Sequence, residues 1–117
     1  SAPQIPYSLD PERITQAVLQ LVENSMKHAG VNAKIEVAFE ANDALEISVS
    51  DSGPGVKPED LEKLFLPFFR AKGKADLEGS GLGLALVKAI AEGHNGQVRA
   101  ESSEHGGLKI TLRIRER

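Results

Sequence analysis

Apolar residues recur at three- and four-residue spacings from Ile14 through Ala17, Val18, Leu21, Val22, Met26 and Ala29, the period of a helix with one buried face. Asp10 supplies a side-chain cap, Pro11 a fixed φ at the first helical position and Gly30 a stop, so the spacing predicts a helix over 10–29. The period then changes. Residues 34–39 place Ile35, Val37 and Phe39 on one face, residues 44–51 place Leu45, Ile47 and Val49 on one face, and Asn42-Asp43 between them reads as a hairpin turn. Pro58, Glu59 and Asp60 open a short helix through Leu64, with acidic residues where the dipole prefers them. Residues 81–92 are apolar almost all round, which predicts a helix buried against both a sheet and another helix, ended by residues 93–96. Residues 98–102 and 108–114 alternate again, joined at Glu104-His105-Gly106-Gly107. Strands with one apolar face need only one cover, so the expected class is α/β: a two-layer α/β sandwich, a mixed sheet with helices on one face.

Composition narrows what such a sandwich can do. With 117 residues and 40% hydrophobic content there is one domain with one modest core. A formal net charge of -3 gives no general attraction to nucleic acid or to anionic membrane. The chain has no cysteine, which excludes disulfides and thiolate metal sites, and no apolar run reaches the ~20 residues that a membrane helix needs, so no direct membrane insertion is expected. Residues 1–9 carry two prolines and no periodicity, and the start Ser1-Ala2-Pro3 resembles neither a signal peptide nor a native initiator. They read as a lead-in or linker of a longer protein, ahead of a domain spanning 10–117.

The chemistry-bearing residues fall in four places. Gly79-Ser80-Gly81-Leu82-Gly83-Leu84 sets bare backbone before a helix N-terminus, where an anion can be held without a cationic side chain. It is not a dinucleotide fingerprint, because its lead-in is polar and Leu84 stands at the third glycine position, nor a Walker loop, because no Gly-Lys-Ser or Gly-Lys-Thr follows. On the first helix Gln20, Asn24, Lys27 and His28 share one flank of the apolar stripe, with Glu23 on the far side. The alternation carries Asp51 to the core-facing end of its strand, where a carboxylate needs a partner. The turn Ser52-Gly53-Pro54-Gly55-Val56 either reverses the chain or opens a floor on which a flat ligand lies. Phe65-Leu66-Pro67-Phe68-Phe69 anchors the start of a polar loop, residues 70–78 with Arg70, Lys72 and Lys74, that reads as a mobile lid. Each feature alone has a plainer reading as linker, solvated flank or turn.

Taken together in order and spacing, Asn24 in its helix, Asp51-Ser52-Gly53-Pro54-Gly55, Phe65-Leu66-Pro67-Phe68-Phe69 and Gly79-Ser80-Gly81-Leu82-Gly83 resemble the N, G1, F and G2 boxes of the ATP-binding catalytic domain of sensor histidine kinases. That domain belongs to the GHKL superfamily, and its left-handed crossover sandwich is the Bergerat fold. The resemblance covers residues 10–114. It implies that Asp51 accepts a hydrogen bond from the adenine amino group of ATP and that Asn24 ligates the magnesium (Mg2+) bridging the phosphates. It further implies that Lys27, Arg70 and Lys72 neutralise phosphate charge, that His28 stands beside the nucleotide and that Thr111 assists Asp51 through water. Gly53, Gly55, Val56, Phe68, Gly79, Ser80, Gly81, Leu82, Gly83 and Leu84 would line the nucleotide.

One departure separates branches of the superfamily. Gyrase-like ATPases carry a water-activating glutamate one turn before the asparagine, and here that position is Gln20, which cannot act as a base. The resemblance therefore implies transfer of the γ-phosphate to a histidine on a separate dimerisation domain, with a response regulator downstream and no catalytic residue on this chain. The implied location is cytoplasmic, whether or not the parent protein is membrane-anchored. The rivals are a GHKL-type ATPase clamp and an anti-sigma serine kinase. Gln20 speaks against the first, and the Phe-Pro-Phe-Phe-Arg stretch with its long lid against the second.

Overall fold

Helix α1 spans Pro11–Ala29 because both of its ends are specified locally. The Asp10 carboxylate accepts from the N–H groups of Glu12 and Arg13, Pro11 occupies the first turn, and Gly30 leaves the helix at φ 99°. The computed structural model describes residues 10–69, 82–104 and 106–115. After α1 come β1 (Ile35–Ala41), β2 (Ala44–Asp51), two 3₁₀ turns (Pro58–Asp60 and Glu62–Phe65), α2 (Gly83–Gly93), β3 (Gly96–Ser102) and β4 (Leu108–Arg115). The single short helix expected through Leu64 is thus two 3₁₀ turns, the form the chain takes where a run is too short for a stable α-helix.

The strands pair in the order β1-β2-β4-β3. The expected mixed sheet is refined by this register: its three described pairings are all antiparallel. Successive rungs, Val37-Val49-Ile110-Ala100 and Phe39-Ile47-Leu112-Val98, face the helices, and β2 and β4 in the middle contribute the buried Leu45, Ile47, Val49, Ile110, Leu112 and Ile114. Helix α2 packs on α1, β3 and β4 and buries Val87, Ile90 and Ala91, as its all-round apolarity predicted. The opposite face is polar, with rungs such as Ser48-Thr111-Arg99 and Glu46-Arg113-Gln97, and Arg113 pairs with Glu46 across the strands at 3.3 Å. The two-layer sandwich is therefore as expected.

Two apolar expectations are corrected. Met26, assigned to the core stripe of α1, is exposed, because that helix turns Ala17, Leu21, Ser25 and Ala29 inward and Met26 sits off that line. Val37 and Phe39 keep their face, but β1 is the sheet edge and the helices do not reach over them. His94 ties the layer together. Its Nδ1 donates to the Ile90 carbonyl at 2.8 Å, and its Nε2 accepts from the Asp10 N–H at 3.1 Å, so the end of α2 holds the start of α1. Among the described residues no helix is long and apolar enough to cross a membrane.

Candidate functional site

Asp51 ends β2 on the helix-facing side and is only 5% exposed. A carboxylate at that depth must be hydrogen-bonded, and the adjoining turn together with two segments distant in sequence satisfies it. Its Oδ1 accepts from the N–H of Gly53 at 3.0 Å and of Leu108 at 3.2 Å, and its Oδ2 accepts from the Ser25 hydroxyl at 3.3 Å. Its main-chain carbonyl accepts from the Ser103 hydroxyl at 2.8 Å, and that same hydroxyl oxygen accepts from the Gly107 N–H at 3.1 Å. Asp51 is thus the junction of α1, the 52–56 turn and the β3–β4 hairpin. With two donors on Oδ1 and one on Oδ2, the remaining acceptor capacity lies at Oδ2.

The turn packs as tightly as its glycines allow. A Cβ on Gly53 would lie 2.5 Å from the Ala29 Cα, so the turn rests directly on the last residue of α1. Gly55 has φ 75°, and a Cβ there would meet the Gly106 carbonyl oxygen at 2.8 Å. Val56 is half-buried against the core. In both sequence readings of this turn, chain reversal and floor of a site, it adjoins Asp51, and the structure shows the carboxylate capping it through the Gly53 N–H.

The other end is the start of α2. Gly83 is its first residue, Leu82 precedes it exposed, and no side chain among the described residues caps it. Gln20 reaches this point, since a Cβ on Gly83 would lie 2.6 Å from the Gln20 Oε1. Leu84 packs half-buried on the core. Helix α1 therefore touches the α2 start through Gln20 and Asp51 through Ser25, positions separated by about 7.5 Å of helical rise. Asn24 lies between them, half-buried. Of the expected border, Asn24, Asp51 and Gly79 to Gly83, α1 carries Asn24 and touches Asp51 and Gly83, while Gly79, Ser80 and Gly81 lie outside the described residues.

Other candidates fare differently. Lys27 pairs with Glu23 at 3.1 Å, so Glu23, expected on the far side, is a neighbour one turn away. His28 is half-buried on α1. Phe65 is 8% exposed and belongs to the core, but Phe68 is 71% exposed at φ 64°, so the aromatic anchor is Phe65 and not the whole cluster. Thr111 is corrected outright. It pairs with Ser48, so its side chain is on the polar face, across the sheet from Asp51; the residue is buried, and its Oγ1 has no hydrogen bond among the described residues. It cannot assist Asp51; the contribution of β4 is the Leu108 N–H. Arg70, Lys72, Gly79, Ser80 and Gly81, the lid reading of 70–78 and the lead-in 1–9 lie outside the described residues. Sequence reasoning missed Ser25 and Ser103. The signal for Ser25 was present, a hydroxyl on the apolar line Leu21, Ser25, Ala29; for Ser103 there was none.

The donor set can be tested against magnesium. Among the described residues no group of three histidine, cysteine or acidic side chains could hold a metal on its own. A single amide oxygen at Asn24 fits an ion that takes its other ligands from water and phosphates.

Residues 9–117 match the family described as histidine kinase-, DNA gyrase B-, and HSP90-like ATPase. Sensor histidine kinase CpxA of Escherichia coli strain K12 is 41% identical over 106 residues, covering 88% of this chain and 23% of that protein. Sensor histidine kinase ZraS of Escherichia coli O157:H7 is 41% identical over 104 residues, covering 88% of this chain and 22% of that protein. The chain thus spans about a quarter of the length of these curated relatives. Among solved structures, the mycobacterial sensor histidine kinase MprB superposes with TM-score 0.84 at 28% identity, over 95% of this chain and 77% of that one. The catalytic domain of histidine kinase ThkA, in a nucleotide-free form, gives TM-score 0.77 at 34% identity, over 92% and 69%.

Proposed function

Because the chain belongs to the family of histidine kinase-, DNA gyrase B- and HSP90-like ATPases, as a histidine kinase-like ATP-binding catalytic domain of the sensor-kinase kind, we propose that it binds Mg-ATP between Asp51 and the start of α2 and yields the γ-phosphate to a histidine on a separate dimerisation domain of the same parent. The observation that carries this reading is the Asp51 carboxylate, buried, fixed by three donors and still able to accept at Oδ2. The adenine amino group is a donor of the right kind. The phosphates then extend toward Gly83 and the glycine stretch before it, with Arg70 and Lys72 assigned to their charge from sequence. Lys27 joins them once it leaves Glu23. Asn24 is the residue proposed to hold magnesium, whose contribution is to neutralise charge across the phosphates.

Transfer rather than hydrolysis is supported by Gln20. It stands at Gly83, at the phosphate end, and an amide cannot take a proton from water. Two of the chain's own histidines are poor acceptors, since His94 has both ring nitrogens engaged and His28 is half-buried on the site flank; His105 lies outside the described residues. Catalysis here is positioning and charge stabilisation, with the nucleophile supplied by the partner domain and a response regulator downstream, on the cytoplasmic side where ATP is found.

Calorimetric titration of ATP and GTP with magnesium tests the adenine assignment. Guanine sets an acceptor against the carboxylate, so ATP should bind at least about tenfold more tightly, and Asp51→Asn should remove that preference without unfolding the chain. Equal affinities for the two nucleotides in the unsubstituted chain would overturn the reading.

A further inference from the structure

Helix α1 turns four residues inward at one-turn intervals, Ala17, Leu21, Ser25 and Ala29, and only one of them carries a hydroxyl. Ser25 is 3% exposed. A buried serine inside a helix commonly bonds back to the carbonyl one turn earlier, which satisfies it without any outside partner. Here the hydroxyl donates instead to the Asp51 Oδ2, 26 positions away. We propose that Ser25 is the positioning residue that makes Asp51 selective for an amino-bearing purine, an inference that rests on the nucleotide reading above.

What matters is which oxygen each donor holds. Gly53 and Leu108 both bond Oδ1, and both do so through the main chain, so they hold that oxygen and leave Oδ2 to be held by another group. Ser25 is the side chain that does this. Its hydroxyl occupies one lone-pair direction of Oδ2 and leaves the other for a ligand N–H. The single hydroxyl proton is then committed to Oδ2, so Ser25 shows only lone pairs to anything beside it. Carboxylate and hydroxyl together form an all-acceptor edge. An exocyclic amino group matches that edge with its protons. A purine carbonyl meets acceptors on both groups, and it can recruit the Ser25 proton only by stripping it from Oδ2. Ser25 therefore acts through Asp51, raising affinity for the amino purine and withholding a donor from the carbonyl purine.

The experiment measures ATP and GTP affinity by calorimetry, with magnesium, for the unsubstituted chain, Ser25→Ala and Ser25→Thr, alongside thermal melting of each. Alanine keeps the helix and the apolar line, so the chain should fold. ATP affinity should fall about three- to tenfold in Ser25→Ala, the scale of one hydrogen bond to a charged group that keeps two others, while GTP affinity stays within about twofold, so the ATP-to-GTP ratio narrows. Ser25→Thr, which retains the hydroxyl, should restore most of the ratio. A merely structural serine would lower the melting temperature and weaken both nucleotides by the same factor, leaving the ratio intact, and that result would overturn the proposal. Failure of the two readings looks different. Discrimination in the unsubstituted chain that survives in Ser25→Ala sinks the role of Ser25 alone, whereas absence of discrimination in the unsubstituted chain sinks the adenine reading and this inference with it.

Discussion

At the Asp51 end of the proposed groove, α1, the glycine turn and the β3–β4 hairpin converge on one carboxylate, and a glycine without a Cβ lets the turn lie against the α1 backbone. At the α2 end the described residues offer a helix start, a glutamine tip against Gly83, and the exposed side chains of Leu82 and Phe68. The first end is fixed by the protein's own donors with acceptor capacity left at Oδ2, and at the second no side chain among the described residues caps the helix. That division suits a molecule that recognises a base by a fixed pattern of acceptors, where preorganisation raises affinity. Phosphates bring their own charge and metal, so groups meant for them need not be held in place by the rest of the chain.

The difference can be broken by substitution, and the largest effect lies beneath the α2 end. Phe65→Ala, in the core under α2, should cost about 3–5 kcal/mol, whereas Phe68→Ala, three residues on and exposed, should cost less than about 0.5 kcal/mol, both read by denaturant unfolding. Comparable losses would mean that the aromatic segment anchors as a unit. At the base end Gly53→Ala drives a Cβ into the Ala29 backbone and should cost about 1–3 kcal/mol, lowering the melting temperature together with ATP affinity. Gly83→Ala is the contrasting case at the other end. Its Cβ displaces only the tip of Gln20 and removes a glycine from a helix, so stability should hold or rise by up to about 1 kcal/mol while nucleotide affinity falls. If Gly83→Ala melted as low as Gly53→Ala, the two ends would not be built differently.

What the sequence made legible is what local chemistry decides. The cap at Asp10, the stop at Gly30, the whole of β2 and the parity that turns Asp51 inward are all as read, because each depends on neighbours within a few positions. The same parity rule, applied to β4, puts Thr111 outward, and it is the resemblance rather than the alternation that draws Thr111 toward the site. Periodicity names a face but not its cover, which is why Met26, Val37 and Phe39 fit the pattern and yet are exposed. Three of the bonds that build the Asp51 end join residues 26 to 57 positions apart, and no spacing rule reports such pairs. Ser25 is the exception, a polar residue on an otherwise apolar line.

The most direct test of the central claim is incubation with γ-labelled ATP, first of this chain alone and then with a separately supplied histidine-bearing dimerisation domain from the same parent. The account predicts acid-labile label on the added domain only, and only with magnesium, with no appreciable phosphate release by the chain alone. Acid-labile label on this chain that disappears on substituting His28, His94 or His105, or rapid release of phosphate by the chain alone, would contradict it.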